Sequence, residues 1–263
     1  MYTISRILLL LLLSVPLLAQ QGFRIAAANK TIVFSEVDEL TIVGATGSDL
    51  TVESAAGKDE RDERADGLRK ISASGLRDNT GAGLSVTEEG GTIRVAQVGA
   101  NGKKVTVHVP NSASITVEQS SHRGGGLTVE DFSGSLDVTM MYHEVNLSNV
   151  TGPVAVNTVY DDIIATWDAA PTQEVRLHST YSDVDVTLPA ATKADVRLST
   201  GYGSMYTDFD IQIKSNMQAS NDDDRDYDRP RDVNLGNLSG TINGGGTLLS
   251  LTATYDNIYL RKK

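Results

Sequence analysis

Residues 142–163 read YHEVNLSNVTGPVAVNTVYDDI, and they contain two copies of one short phrase. In each copy a tyrosine is followed, three residues later, by an apolar residue that opens a short alternating strand. The chain holds five copies: Tyr142-His143-Glu144-Val145, Tyr160-Asp161-Asp162-Ile163, Tyr181-Ser182-Asp183-Val184, Tyr202-Gly203-Ser204-Met205 and Tyr255-Asp256-Asn257-Ile258. Subtracting positions gives intervals of 18, 21, 21 and 53 residues. A fixed period of about 20 residues is typical of chains that stack one structural unit on the next.

Strict alternation of apolar and polar residues dominates the rest of the chain. Val184, Val186 and Leu188 are separated by single polar residues, and residues 104–109 and 136–140 show the same pattern. This alternation indicates strands with one buried and one wet face, and Gly, Asn, Asp and Ser between them supply the turns. We therefore predict an all-β protein, a single-domain β-helix or β-solenoid of short stacked strands with a coil period of about 20 residues.

A second phrase keeps its phase with the first. The sequence NLSNVTG at 146–152 recurs as NLGNLSG at 234–240, and VEDFSG at 129–134 is a looser copy. Gly134 and Gly152 each lie 8 residues before a tyrosine of the first phrase. A β-sandwich of antiparallel hairpins has similar strand spacing, but it has no reason to place one tyrosine in every unit of about 20 residues.

Stacking of the coils predicts a tyrosine ladder. Equivalent strands of neighbouring coils would lie about 4.8 Å apart, so the rings would follow one another at roughly 5 Å. A ladder that faces solvent could bind glycan rings, whereas a buried or corner ladder stabilises the stack. The second interpretation is favoured for the predicted ladder members, Tyr142, Tyr160, Tyr181 and Tyr202, and His122 is a candidate for an earlier, degenerate copy.

The N-terminus has the pattern of an export signal. One basic residue, Arg6, precedes an apolar run at 7–18 that is too short to span a membrane comfortably, and Ala19 offers a small residue for cleavage. We predict a signal peptide at 1–19 and a β-solenoid, adhesin-like domain at 20–263, with no integral membrane segment after cleavage. The mature protein is expected in the periplasm, outside the cell or at the cell surface. The chain has no cysteine, so disulfides and thiolate metal sites are excluded.

Charge argues against nucleic-acid binding. The chain has 34 acidic and 23 basic residues, a net charge of −11, whereas affinity for nucleic acid depends on an excess of Lys and Arg. Two charged stretches interrupt the strand pattern, KDERDERAD at 58–66 and NDDDRDYDRPRD at 221–232. We interpret both as loop insertions between coils, and we expect the second to be the first site of limited proteolysis.

Acidic residues recur two positions after the tyrosines, at Glu144, Asp162 and Asp183, while Ser204 and Asn257 take that position in the other copies. Aligned carboxylates could bind calcium or serve as acid and base in a polysaccharide-cleaving enzyme. Asp and Asn also suit a tight turn through bonds between their side chains and the local backbone, and this interpretation is favoured. No recurrent Lys or Arg lies nearby to serve as a base.

Other candidate sites fail their tests of spacing. Asp222, Asp224, Asp226 and Asp228 alternate as in an EF-hand loop, but Tyr227 and Val233 stand where that loop needs Gly and Glu. The histidines have no metal-site spacing, and no helix follows the Gly244–Gly246 run to make it a phosphate loop. We therefore predict no catalytic residue, no metal site and no cofactor, and the binding residues stay unassigned. The four histidines are His108, His122, His143 and His178.

The Asn-Leu-x-Asn-[Val/Leu]-[Ser/Thr]-Gly phrase, the Tyr-x-[Asp/Glu]-[Val/Ile] turns and the closing GTINGGG at 240–246 resemble the bacterial putative-adhesin family of exported proteins, to which the head-GIN domain group is related. The resemblance covers residues 31–263 and implies an exported, stacked β-solenoid. The family has no established catalytic residues. The acidic stretch at 221–232 and the use of Tyr where relatives often have Ser or Thr depart from its pattern.

Together these patterns favour an exported, non-enzymatic, adhesin-like scaffold that presents repeated side chains to a protein or glycan ligand. A β-helix enzyme that acts on an acidic polysaccharide is the alternative, and an envelope accessory that works only through protein contacts is a third possibility. A cleft with two carboxylates roughly 5–9 Å apart would favour the enzyme, whereas a flat face lined by tyrosines would favour the binding module.

Overall fold

The computed structural model describes residues 22–53, 64, 74–99, 102–214 and 236–263. These residues form no α-helix, so the predicted all-β class is confirmed, and they belong to a single domain. The strands are β1 (Phe23–Ala26), β2 (Thr31–Ser35), β3 (Glu39–Ala45), β4 (Asp49–Glu53), β5 (Leu84–Glu89), β6 (Thr92–Gln97), β7 (Lys104–Pro110), β8 (Ser114–Gln119), β9 (Leu127–Glu130), β10 (Ser135–Met140), β11 (Val145–Ser148), β12 (Val154–Thr158), β13 (Ile163–Thr166), β14 (Val175–Ser179), β15 (Val184–Leu188), β16 (Ala194–Thr200), β17 (Met205–Thr207), β18 (Ile211–Ile213), β19 (Gly236–Ile242), β20 (Thr247–Ala253) and β21 (Ile258–Lys262).

The described strands form two large mixed sheets. The first sheet has the order β1-β4-β7-β3-β9-β11-β13-β15-β21-β17, and the second has the order β18-β19-β16-β20-β14-β12-β10-β8-β2-β6-β5. In each sheet eight consecutive strands run parallel to one another, from β7 to β17 in the first sheet and from β16 to β6 in the second. Parallel pairing requires a crossover between neighbouring strands, and here the chain crosses over through the other sheet.

The alternation seen in the sequence explains how the sheets bury their inner faces. In β10, Leu136, Val138 and Met140 are buried while the residues between them are exposed, and in β11 to β15 buried residues alternate with half-buried or exposed ones. Buried side chains of both sheets belong to one hydrophobic cluster, so the two sheets enclose a common core. Trp167, Phe34 and Phe132 are the largest of the fully buried side chains.

Strands of the two sheets come in pairs that keep one order in both layers. From one end to the other the pairs are β6/β7, β2/β3, β8/β9, β10/β11, β12/β13, β14/β15, β20/β21 and β16/β17. Neighbouring pairs are in register, so that Val138 faces Val156 and Val156 faces Leu177. Apolar side chains of like kind therefore lie above one another from strand to strand.

Two strand pairs lie out of chain order. The pair β2/β3 lies between β6/β7 and β8/β9, and the last pair, β20/β21, lies between β14/β15 and β16/β17. The first and last strand pairs of the chain are thus held on both sides, because each is one position in from an end of the stack. The interval of 53 residues between the last two tyrosine copies contains β17, β18, the residues 215–235 that the structure does not describe, β19 and β20.

One repeat equivalence predicted from the sequence is wrong, and one is confirmed. Residues 146–152 lie in parallel β11 and the turn that follows it, whereas residues 236–240 lie inside β19, which is antiparallel to β16. The similarity arises because the same Asn, Leu and Gly residues suit two different settings. The looser copy at 129–134 does match 147–152, since Leu147 pairs in register with Val129.

Several predictions concern residues that the structure does not describe. These are the signal peptide at 1–19, the whole stretch at 221–232, the EF-hand-like aspartates with Tyr227 and Val233, and all of the 58–66 stretch except Arg64. They stay predictions. No helix formed by the described residues is long and apolar enough to cross a membrane.

Candidate functional site

The five tyrosine phrases form turns of identical length along one side of the stack. Each turn joins a strand of the second sheet to its partner in the first, and each has four residues with the tyrosine second. The turns are 141–144, 159–162, 180–183, 201–204 and 254–257. We call this side of the stack, formed by the five turns, the tyrosine edge. Constant turn length and parallel register place the five rings one above another.

The predicted tyrosine ladder is confirmed, with one correction to its order. Ring centroids of successive members are 5.1, 5.3, 4.8 and 4.8 Å apart, and the ring planes differ by 18° at most. Tyr202 does not follow Tyr181 as the sequence order suggests, because Tyr255 lies between them on the inserted pair β20/β21. His122 meets Tyr142 edge-to-face at 6.3 Å, so it occupies the ladder position expected for a degenerate copy. The ladder order is Tyr142, Tyr160, Tyr181, Tyr255 and Tyr202.

All five rings of the ladder are exposed to solvent, but the faces of the inner rings are covered. Each ring in the interior of the stack has a neighbour about 5 Å away on both sides, so its faces are covered and its edge and hydroxyl reach water. Exposure runs from 39% at Tyr142 to 75% at Tyr202, the end ring with one open face. The ladder therefore offers a row of phenol hydroxyls, which both donate and accept hydrogen bonds.

Polar side chains beneath the rings tie each turn to the next. An Asp162 carboxylate oxygen accepts from the backbone N–H of Asp183 at 3.0 Å, and an Asp183 oxygen accepts from the N–H of Asn257 at 2.9 Å. The Asn257 amide oxygen then accepts from the N–H of Ser204 at 3.0 Å. These bonds join each turn to the backbone of the next, whereas the sequence predicted bonds to the local backbone of the same turn. One carboxylate oxygen of Asp162 and one of Asp183 therefore accept hydrogen bonds that hold neighbouring turns together.

Asp183 is the one member of this acidic row with a resolved pKa shift. Burial raises the pKa of its carboxyl above the ordinary 3.8, and the neighbouring Asp256 carboxyl raises it further, against bonds from Asn257 that lower it. The Asn257 side-chain amide donates to both carboxylates, at 3.3 and 2.7 Å. Asp183 and Asp256 are therefore bridged by a turn residue instead of flanking an open cleft.

The opposite side of the stack carries a different ladder, which we call the asparagine edge. It runs through Asn111, Asp131, Asn149 and Asp168 in the turns that lead from the first sheet back to the second. The Asn149 side chain donates to carboxylates of Asp131 and Asp168 and accepts from the N–H of Asp168 at 2.8 Å. The Lys263 ammonium and the Asn149 amide lower the pKa of Asp168. Sequence analysis missed this ladder because its turns vary in length.

A second tyrosine stack lies on the outer face of the first sheet. Tyr206 in β17 and Tyr259 in β21 stack with centroids 5.2 Å apart, and the Arg261 guanidinium lies 4.8 Å from the Tyr259 ring centre. The sequence analysis missed it because neither tyrosine opens a strand. A signal was present, since Tyr206 and Tyr259 are 53 residues apart, the same interval as Tyr202 and Tyr255.

The histidines are not brought together. His108 contacts Glu53 at 2.8 Å, His143 contacts the carbonyl of Arg123 at 3.0 Å, and His178 contacts the Thr254 hydroxyl at 3.3 Å. Among the described residues no group of three or more His, Asp or Glu is placed to hold a metal ion. Gly244 and Gly245 take positive φ values in the turn between β19 and β20, which explains the glycine run by backbone geometry.

A shallow depression on the outer face of the second sheet is one rival to the tyrosine edge. It has a volume of about 310 Å³ and is lined by Asn157, Arg176, His178, Ser250 and Thr252, among others. Its one fixed charge is already paired, because the Arg176 guanidinium donates to Glu174 through two nitrogens at 2.8 and 2.6 Å. The depression has no free charge with which to fix a ligand.

Comparison with known proteins found weak structural similarity to two bacterial proteins. No family model matches the chain, and neither does any curated protein. A putative cell adhesion protein from Clostridium sporogenes is similar over 92% of this chain and 99% of its own, with 11% identity and a TM-score of 0.38. A putative adhesin from Bacteroides fragilis is similar over 92% and 98%, with 12% identity and a TM-score of 0.31. Likeness at this level establishes neither a common fold nor a common function.

Proposed function

We propose that this chain is an exported, non-enzymatic, adhesin-like binding module built as a parallel β-solenoid. The tyrosine edge is its binding surface. The single observation that carries the proposal is the exposed ladder of five tyrosines, held in register by turns of constant length. The proposed location, in the periplasm or at the cell surface, rests on the export signal predicted at 1–19.

The solenoid proposal is supported by strand pairing. Each strand pair contributes one strand to each sheet, and the same order of pairs occurs in both sheets. Eight parallel pairs in register are what a chain wound as a flattened coil produces, with the tyrosine edge and the asparagine edge as its two corners. Antiparallel sandwiches, the alternative from the sequence, join neighbouring strands by hairpins instead.

The ligand that suits this edge is a glycan chain. Ring faces inside the ladder are covered, so a sugar cannot stack on them, but five hydroxyls recur along the edge at ring spacings of 4.8 to 5.3 Å. A polysaccharide also presents hydroxyl groups at regular intervals. Repeated hydrogen bonds of modest individual strength would add along the polymer, as in other extended repeat surfaces.

The enzyme alternative, acting on an acidic polysaccharide, is less well supported. The carboxylates of the tyrosine edge accept hydrogen bonds from the turns, and the net charge of −11 repels an acidic polymer. The carboxylates most suited to acid and base roles, Asp183 and Asp256, are joined by the Asn257 amide. A neutral or amino-bearing glycan fits the charge better.

A glycan-array screen of residues 20–263 tests the proposal. We expect binding to a family of extended glycans, and a variant with both Tyr160→Ala and Tyr181→Ala should bind about tenfold or more weakly. The matched control is Ile164→Ala, an exposed apolar residue of the first sheet away from the ladder, which should bind normally. The proposal fails if no glycan is bound, or if the tyrosine variant binds as well as the control.

A further inference from the structure

Three of the four sheet ends are covered by antiparallel strands. In the first sheet β4 and β1 follow the last parallel strand, and in the second sheet β5 covers one end while β19 and β18 cover the other. The fourth end, at β17, is different: no strand formed by the described residues pairs with its outer side. An uncovered edge offers unpaired backbone groups to another chain.

We propose that the outer edge of β17 is a self-association surface, occupied by β17 of a second copy of this chain. The two strands would run antiparallel about a two-fold axis that passes beside Tyr206. The second copy then supplies what the chain itself supplies at the other three ends, an antiparallel covering strand. The surface is separate from the tyrosine edge, so this inference does not depend on the proposed glycan ligand.

Backbone geometry makes this edge complementary to itself. The N–H of Ile258 donates to the carbonyl of Ser204 at 2.9 Å, which fixes the phase of the parallel ladder between β17 and β21. The N–H and carbonyl of Tyr206 then point toward β21, while those of Met205 and Thr207 point outward. Under a two-fold axis at Tyr206, each Met205 faces the Thr207 of the second copy, and each such pair exchanges two hydrogen bonds.

The side chains at this edge favour the same arrangement. Tyr206 would face its own copy as a non-hydrogen-bonded pair, in which Cα atoms approach to about 4.5 Å and side chains pack closely. Tyr206 already stacks on Tyr259 at 5.2 Å, so the two copies would form one continuous stack of rings. Among the described residues outside the tyrosine edge, the two most exposed large apolar side chains, Tyr206 and Ile213, lie at this end, with 53% and 65% exposure.

Charge distinguishes a second copy from another partner. Two copies of a chain with a net charge of −11 repel one another, so association should strengthen when salt screens the repulsion. A basic partner at the same edge would show the opposite salt dependence. A strand of three residues gives a small contact, and we therefore expect a weak dimer that dissociates on dilution.

The test uses residues 20–263 in sedimentation velocity over a series of concentrations at low and moderate salt. We expect a monomer–dimer equilibrium that shifts toward dimer with concentration and with salt. Tyr206→Lys places two like charges on the axis and should weaken association about tenfold or more, whereas the control Ile164→Lys should not. The proposal is overturned if the protein is a monomer at every concentration, or if Tyr206→Lys leaves the dimer dissociation constant unchanged.

An independent test follows from the absence of cysteine. Tyr206→Cys should form a disulfide between two copies on mild oxidation, because the paired Cα atoms would lie within the range that a disulfide spans. Ile164→Cys, also exposed, gives the background rate for random collision. Cross-linking of Tyr206→Cys at that background rate contradicts the two-fold arrangement, even if a dimer forms by another surface.

Discussion

The tyrosine edge and the asparagine edge of the strand stack differ in how much the lengths of their turns vary. On the tyrosine edge all five turns have four residues, whereas on the asparagine edge the connections 131–134, 149–153 and 167–174 have four, five and eight. The first two tyrosine intervals, 18 and 21, differ by three residues, and the longer 167–174 connection supplies those three. Register is therefore kept among the five tyrosine turns because the strand pairs that carry them vary in connection length on the asparagine edge.

The stabilising contacts differ accordingly. The tyrosine edge relies on exposed stacked rings, each worth about 0.5–1.5 kcal/mol per contact. The asparagine edge relies on buried groups and close backbone approach: Trp167 is fully buried with its indole N–H donating to the Val150 carbonyl at 2.7 Å, and Gly152 lies against the backbone of Gly134. We infer that the asparagine edge carries more of the stability, while the tyrosine edge is free to carry a function.

The largest effect is expected at Trp167. Replacing it by Ala empties a fully buried site and should lower the free energy of unfolding by about 3–5 kcal/mol. Trp167→Phe keeps much of the volume but leaves the Val150 carbonyl without its donor, and it should cost about 1–2 kcal/mol. Urea unfolding measures both. Equal losses for the two variants would show that packing at this position is unimportant.

Gly152 should rank next. A Cβ there would lie against the Gly134 carbonyl and 2.6 Å from the Ser133 carbonyl oxygen, so Gly152→Ala forces the backbone apart and should cost about 2–3 kcal/mol. Gly47 is the matched control, since a Cβ there meets nothing within 4 Å, and Gly47→Ala should change stability by less than about 0.5 kcal/mol. Similar melting temperatures of the Gly152→Ala and Gly47→Ala variants would mean that the turns of the asparagine edge are not closely packed.

The tyrosine ladder should show a position effect of smaller size. Tyr181→Ala removes a ring with two stacked neighbours, whereas Tyr202→Ala removes an end ring with one. We expect losses of about 1–2 kcal/mol at Tyr181 and about 0.5–1 kcal/mol at Tyr202. Unfolding curves of the two variants recorded side by side measure both losses. A larger loss of unfolding free energy for Tyr202→Ala than for Tyr181→Ala would contradict the ladder.

The smallest effect is expected from Asp183→Asn, and it depends on pH. A raised pKa means that the folded state holds this proton more tightly than the unfolded state, so the wild-type free energy of unfolding falls as pH rises from 3.8 through the raised value. The amide variant lacks this loss and can keep the turn bond, as Asn257 does one turn further on. Its stability relative to wild type should therefore rise across that pH range; a flat or falling difference would refute the assignment.

Period and alternation were enough to predict much of the fold. Alternating Val and Leu residues identified the half-buried strands, and the fixed position of tyrosine within each phrase predicted the ring ladder. These features are local, because a four-residue turn and a strand face are both encoded by neighbouring residues.

What the sequence did not reveal was long-range order. Nothing local to Tyr255 says that it lies between Tyr181 and Tyr202, since that place depends on β20 pairing with strands 50 and more residues away in the chain. The recurrence of NLSNVTG as NLGNLSG suggested that the two phrases occupy equivalent places in the fold, and this prediction was wrong for the same reason. A short polar phrase specifies a turn or a strand edge, and the rest of the sheet decides which neighbour the strand has.

The central claim is that the last strand pair is inserted in register between two earlier pairs. In this cysteine-free chain, His178 faces Thr252 across β14 and β20, while Ser199 lies one strand further, in β16. The account predicts that the double variant His178→Cys with Thr252→Cys forms a disulfide on mild oxidation, and that His178→Cys with Ser199→Cys does not, because two strand spacings of about 4.8 Å exceed the reach of a disulfide. Efficient bridging of residues 178 and 199, with none between 178 and 252, would contradict it.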